Sequence, residues 1–243
     1  MTAAKLKKAK ADGAQITDDC SAVERLGMSV RTVEGDEHHA SMTVGSLKVE
    51  VWKGWQRVHY RFLRDGKEIL VAREDGDPVT KYAHQAGNMY DVRMLFDAKE
   101  GEHFYGIGQE QQPCLDRKGT ATDLWHYNTK SALPCVYSSL GYYFLWNNPS
   151  PGRVEFGRAR TLWESYCCYQ ADYIVAAAAT PAAAMRRYAE LTGFSPEMPE
   201  WAAGYWQCKL RYESQDDLLE VARKYHEMGV PVDAIVIDYF HWT

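Results

Sequence analysis

From Ser41 onward, apolar and polar residues alternate with a period of two. Leu47, Val49 and Val51 interleave with Lys48, Glu50 and Trp52, and Val58, Tyr60 and Phe62 interleave with His59 and Arg61. Strands with one face in a core and the other in water carry this pattern. Asp65-Gly66, set between Phe62-Leu63 and Ile69-Leu70-Val71, predicts a hairpin turn, because Gly tolerates the positive φ that such turns need. Further strands are expected at residues 90–96, 103–107, 135–138, 142–146, 153–156 and 166–176, separated by Gly, Pro and Asn. Helical periodicity is nearly absent before residue 180, so the pattern predicts a β-sandwich.

At Thr180-Pro181 the period changes. Thr180 suits a helix cap, Pro181 the first helical position, Ala182 to Leu191 the body, and Gly193 the left-handed C-terminal residue. Pro196 and Pro199 then punctuate the chain. Beyond them Trp201–Cys208 reads as a strand, and Ser214 with Asp217 opens a helix that runs to Met228 and stops at Gly229 and Pro231. Ala234-Ile235-Val236-Ile237 is an uninterrupted apolar run, as in parallel strands buried on both faces. The expected division is a poorly defined segment 1–40, a β-sandwich 41–195 ending in a short helix, and the start of an α/β domain at 196–243. One β-α-β unit leaves unpaired strand edges and half-buries the helix face of Leu218, Val221, Ala222 and Tyr225. A barrel needs about 250 residues. The chain is therefore expected to be a fragment, or to fold only with something else.

Composition narrows the function classes. With 46% hydrophobic and 13% aromatic residues the 243-residue chain reads as globular, and no apolar run reaches the ~20 residues needed to cross a bilayer. A net charge of -5 without a basic stripe argues against nucleic acid, so the expected ligand is neutral or cationic. The six cysteines show no C-x-x-C and read as reduced, mostly buried thiols. The N-terminal Lys5, Lys7, Lys8 and Lys10 precede no apolar core of a signal peptide. A cytoplasmic protein is expected, with no membrane partner and with homo-oligomerisation left open.

Candidate chemistry gathers at the strand ends. Asp238 follows the apolar strand directly and is trailed by Tyr239, Phe240, His241 and Trp242. In α/β domains that edge of the sheet holds the ligand. A carboxylate among aromatic rings suits a sugar, whose hydroxyls donate to the carboxylate while its C–H faces stack on the rings; an ordinary loop Asp stands equally open. Trp206, Gln207, Lys209, Leu210, Arg211 and Tyr212 are expected to end the preceding strand on the same face. Asp123-Leu124-Trp125-His126-Tyr127-Asn128 reads as a polar, aromatic loop of the sandwich. Gly106-Ile107-Gly108 lacks a third Gly, Gln111 standing there, and reads as a turn. The eight His show no ligand spacing, so no metal site and no cofactor are proposed.

The blocks Phe104-Tyr105-Gly106-Ile107-Gly108-Gln109-Glu110, Tyr127-Asn128-Thr129, Tyr137-Ser138-Ser139-Leu140-Gly141-Tyr142, Leu145-Trp146-Asn147-Asn148-Pro149, Met198-Pro199-Glu200-Trp201, Gly204-Tyr205-Trp206-Gln207-Cys208-Lys209-Leu210-Arg211-Tyr212 and Ile237-Asp238-Tyr239-Phe240-His241-Trp242 follow one another in this order. The succession resembles family 31 glycoside hydrolases, closest to their α-xylosidase-like branch, over roughly residues 40 to 243. The resemblance implies a galactose-mutarotase-like β-sandwich followed by the first β-α-β unit of a truncated (β/α)8 barrel. It also implies retaining hydrolysis of terminal α-linked sugars on oligosaccharides, α-xylosides first and α-glucosides next. In such enzymes one carboxylate attacks the anomeric carbon, and another protonates the leaving oxygen and then activates water. The family's nucleophile sits in a Trp-x-Asp block, and no Trp-x-Asp occurs in this sequence. Both catalytic Asp residues are thus expected beyond Thr243, and the 243-residue chain alone is expected to be inactive. By position, Asp238 matches the carboxylate that binds the distal sugar hydroxyls and Phe240 its aromatic neighbour. Trp206 belongs to the same block, Leu210 or Arg211 falls at the pocket wall, and Asn128 lies in the sandwich loop that reaches over the barrel mouth. The alternative is a non-catalytic carbohydrate-binding β-sandwich module.

Overall fold

The structure, a computed structural model, describes residues 32–36, 38–54, 58–72, 80–84, 87 and 89–239. The chain forms two compact units, residues 1–193 and 194–243.

The first unit is built from three antiparallel sheets. β1 (Thr32–Gly35), β2 (His39–Val44), β3 (Leu47–Lys53), β4 (Val58–Arg64) and β5 (Lys67–Val71) form a meander in sequence order. The period-two alternation is realised across β3 and β4, where Val49 stands opposite Phe62 and Glu50 opposite Arg61. On the polar face Glu50 accepts hydrogen bonds from Lys48 Nζ at 2.7 Å and Arg61 Nε at 2.8 Å. Those two donors hold its carboxyl below the usual carboxylate range. Asp65 and Gly66 both take positive φ, 50° and 77°, the hairpin geometry that the Asp-Gly pair predicts.

The remaining strands are β6 (Thr80–His84), β7 (Tyr90–Asp97), β8 (Phe104–Gln109), β9 (Ala121–Leu124), β10 (Ser131–Ser138), β11 (Tyr142–Trp146), β12 (Gly152–Phe156), β13 (Arg160–Cys168) and β14 (Tyr173–Ala177). They form a four-stranded sheet, β14-β11-β10-β8, and a five-stranded sheet, β6-β7-β13-β12-β9. Side chains from all three sheets share one core of Phe62, Ile69, Phe96, Phe104, Phe144, Phe156 and Trp163 among others. Phe144 stacks on Trp163 at 4.9 Å and meets Phe96 edge-on at 5.5 Å. The buried Trp146 indole donates to Ser165 Oγ at 2.7 Å.

Every residue of β11 is buried. Tyr142, Phe144 and Trp146 enter the main core, while Tyr143 and Leu145 pack with Ala184 of α1 (Pro181–Thr192). This helix covers the outer face of the sheet, so an antiparallel strand reads as a continuous apolar run. Thr180 Oγ1 caps α1 by accepting from Ala183 N at 3.2 Å, and Gly193 closes it at φ 102°.

Several local expectations are corrected. Among the described residues strands appear from Thr32, ahead of Ser41, and β1 is too short to show alternation. Residues 166–176 are two strands in different sheets; Cys167, at φ 57°, lies in an irregularity of β13, and the chain leaves that strand after Cys168 and turns through Tyr169–Asp172. Gly106-Ile107-Gly108 lies inside β8, although all three take positive φ, 137°, 72° and 87°. Asp123 and Leu124 belong to β9 and not to a loop. Of the described cysteines only Cys168 is buried; Cys167 and Cys208 are exposed.

The second unit comprises a 3-10 turn at Glu200–Ala203, β15 (Trp206–Lys209), α2 (Gln215–Glu227) and β16 (Ala234–Ile237). β15 and β16 pair in parallel, Cys208 opposite Val236 and Lys209 opposite Ile237, so the two elements form the expected β-α-β unit. Ser214 Oγ accepts from Asp217 N at 3.1 Å, and Lys224 occupies the last turn, where a cation suits the helix dipole. The strand expected from Trp201 begins only at Trp206, since Pro199 and Gly204 bracket the 3-10 turn.

Candidate functional site

The two faces of the β15–β16 pair are set by what α2 touches. Tyr225 OH on α2 donates to Gln207 Oε1 at 2.7 Å, and Lys209 Nζ donates to both Asp217 carboxylate oxygens at 3.1 and 3.2 Å. Residues 207 and 209, with their partners Ile235 and Ile237, therefore face the helix. By alternation Trp206, Cys208, Ala234, Val236 and Asp238 face away from it. In a β-α-β unit of a closed barrel that second face is the interior.

Asp238 stands immediately after β16, at the C-terminal edge of the sheet, and is exposed. Its Oδ1 accepts from Tyr239 N at 2.8 Å, and its Oδ2 accepts from Cys208 Sγ at 3.8 Å. The chain's own turn holds one carboxylate oxygen, and the Cys208 thiol, shared with Lys209 O at the same 3.8 Å, reaches the other. Desolvation first, then the charge and hydrogen bond of Asp238, push the Cys208 thiol above its ordinary value. Sequence reading missed Cys208; its alternation with Lys209 along β15 was the available signal.

Leu210 and Arg211 follow β15 on the same edge of the sheet. Leu210 is 68% exposed, and both residues line a shallow depression with Lys209, Glu213, Ser214 and Asp217. Arg211 Nε lies 3.8 Å from Glu213 Oε1. Lys209 Nζ also lies 5.3 Å from the Tyr212 ring centroid. Leu210, Arg211 and Asp238 are thereby brought to one end of the parallel pair. Trp206 is not, because it opens β15 opposite Ala234 and stacks on Trp201 at 5.5 Å, three residues or about 10 Å from the strand end. Phe240, with His241 and Trp242, lies outside the described residues.

Asn128 belongs to the first unit. It is exposed in a turn closed by the Tyr127–Lys130 bridge, with Lys130 N donating to Tyr127 O at 2.9 Å. Thr129 takes φ 68° in that turn. Trp125 and Tyr127, 39% and 57% exposed, flank Asn128. Among the described residues no cluster of His, Cys, Asp and Glu has the arrangement of a metal site.

A carboxylate with both oxygens oriented, at the edge where barrels bind ligands, is equipped to accept hydrogen bonds from neutral hydroxyl groups. Comparisons with known proteins agree on the class of protein that carries it. Residues 7–155 match the glycosyl hydrolase 31 N-terminal galactose mutarotase-like domain, and residues 195–243 match the glycosyl hydrolases family 31 TIM-barrel domain. The first match extends the likeness upstream of residue 40. Among curated relatives, an uncharacterized family 31 glucosidase of Pseudescherichia vulneris is 44% identical over 64% of this chain and 30% of its own length. Alpha-xylosidase A of Aspergillus niger is 34% identical over 78% of this chain and 27% of its own length. An alpha-xylosidase of Saccharolobus solfataricus is 36% identical over 63% and 22%. A solved family 31 alpha-xylosidase from a soil metagenome, complexed with xylose, superposes with a TM-score of 0.77 at 36% identity, covering 87% of this chain and 34% of that one. The chain spans less than a third of the length of these three curated relatives. With one family domain matched over more than half of its residues and a second over residues 195–243, the chain belongs to glycoside hydrolase family 31.

Proposed function

We propose that this chain supplies the β-sandwich and the first β-α-β unit of a retaining glycosidase that removes terminal α-linked sugars from oligosaccharides, α-xylosides in preference to α-glucosides. The observation that carries the reading is Asp238, at the sheet edge on the face away from α2, with Cys208 and Tyr239 N orienting its two oxygens. In this reading Asp238 accepts from the distal hydroxyls of the non-reducing sugar, with Phe240 beside it. Leu210 and Arg211 wall that edge, and Asn128, in the sandwich turn, is a separate candidate for sugar contact. Trp206, on the face of β15 that Asp238 shares, lines the same pocket as Asp238, below the edge.

Bond cleavage needs a carboxylate nucleophile and an acid/base carboxylate about 5–5.5 Å apart for retention. The sequence has no Trp-x-Asp block, so the reading assigns both groups to barrel strands beyond these residues and holds that the 243-residue chain alone does not hydrolyse glycosides. The kinship of two named alpha-xylosidases favours a xyloside; excluding a C6 hydroxymethyl group takes a few pocket side chains and is worth about 1–3 kcal/mol. The test is turnover of aryl α-xyloside and aryl α-glucoside by the full-length gene product. The expected result is a higher kcat/KM for the xyloside. No turnover of either substrate by folded enzyme overturns the reading.

A further inference from the structure

β8 ends at Gln109, opposite Ser131 of β10, so the next antiparallel step sets Glu110 against Lys130. Their side chains form a 2.9 Å ion pair, and they are only 7% and 5% exposed. It is a charge contact and not an aligned hydrogen bond: Glu110 Oε1 has no hydrogen-bond partner among the described residues. The Lys130 ammonium is thus the main compensation of a buried carboxylate. Burying two charges is costly, and an apolar pair of similar volume commonly holds a strand end as well or better. What an apolar pair does not provide is a fixed geometry.

The same lysine closes the turn. Lys130 N donates to Tyr127 O at 2.9 Å, and Lys130 Nζ lies 5.2 Å from the Tyr127 ring centroid. Ala132 N donates to His126 Nδ1 at 3.2 Å, so the imidazole carries any neutral-form proton on Nε2. Each residue at the base of the turn is held by a specific polar contact, while Trp125, Tyr127 and Asn128 at its rim face solvent.

We infer that Glu110 and Lys130 are positioning residues that lock the Tyr127–Thr129 turn in one conformation, so that Asn128 and the Tyr127 ring meet the substrate already ordered. The inference rests on the reading of Asn128 as a sugar contact. A preordered contact spares the ordering cost on binding.

The experiment compares three forms of the full-length enzyme: wild type, Lys130→Met, and the apolar pair Glu110→Leu/Lys130→Met. Lys130→Met strands a buried carboxylate and lowers Tm. The double variant removes the stranded charge and regains Tm, and so separates stability from positioning. Positioning predicts that the double variant keeps a KM raised about tenfold with kcat within about twofold, the loss of roughly one hydrogen bond to substrate. It also predicts faster amide exchange at Lys130 and Ala132, with Val136 and Phe144 unchanged. Recovery of KM and slow exchange along with Tm overturns the inference. If wild-type enzyme turns over no glycoside, the functional reading fails by itself. The exchange comparison still decides whether the pair locks the turn, and slow exchange in the double variant refutes it.

Discussion

At Gly108 a left-handed backbone and a close neighbouring strand both oppose a side chain. Four residue steps of β10, Ala132 to Val136, face only two of β8, Gly108 to Gly106; Pro134, which offers no N–H, lies within the bulge. The backbone of β8 crosses this bulge in left-handed geometry, and the buried Ile107 is carried through it at φ 72°. A Cβ on Gly108 would lie 2.1 Å from Ser131 O and 2.8 Å from Leu133 N, both backbone atoms, at φ 87°. For Gly108→Ala the left-handed φ costs about 1–2 kcal/mol. Forcing the strands apart adds about 1–3 kcal/mol, as overpacking does, giving about 2–5 kcal/mol together. Two controls separate the contributions. Gly119→Ala has φ 84° and nothing within 4 Å, so only about 1–2 kcal/mol is expected. Gly152→Ala has no left-handed φ but meets Glu164 O at 2.0 Å, so only the clash of about 1–3 kcal/mol is expected. Urea unfolding followed by tryptophan fluorescence reads the first unit, where Trp146 and Trp163 are buried. A Gly108→Ala loss no greater than that of Gly119→Ala refutes the close-approach argument.

Ser165→Ala removes the acceptor of the buried Trp146 indole and should cost about 1–3 kcal/mol in the same assay, whereas Ser165→Thr should cost less. The depressed Glu50 carboxyl, held by Lys48 and Arg61, adds stability that is present above the ordinary Glu value of 4.5 and lost as pH falls through its lower folded value. Glu50→Gln should therefore lose Tm at pH 7 but converge with wild type at the acid end of a Tm–pH profile. The Cys208 thiol, raised by desolvation and by Asp238, should alkylate with iodoacetamide more slowly at pH 8 than a free thiol. Asp238→Asn should speed that reaction, and an unchanged rate would sever the proposed contact.

The elements with purely local causes were legible in the sequence. The Asp65-Gly66 hairpin, the Thr180 and Ser214 caps and the Ala234–Ile237 parallel strand each rest on residues within a few positions of one another. What escaped depends on distant partners. Gly106-Ile107-Gly108 looks like a turn until the β10 bulge is placed against it, and β9 looks like a loop because edge-strand Asp123 finds its pairing in Arg153, thirty residues on. Residues 166–176 read as one strand because nothing local marks the change of sheet after Cys168. In the site, the position of Asp238 followed from the apolar strand before it. The start of β15 at Trp206 was not legible, because the first residue of a short strand leaves no periodic signal, and the Glu110–Lys130 pair was invisible without the register between β8 and β10.

The central claim is that Asp238 holds the sugar at the sheet edge of a family 31 glycosidase, and the most direct test is kcat/KM of full-length Asp238→Asn on aryl α-xyloside. Losing charged acceptance from sugar hydroxyls, about 1.5–3 kcal/mol per bond, predicts a fall of about 10- to 100-fold or more with the enzyme's Tm retained. An Asp238→Asn enzyme as active as wild type would contradict the account.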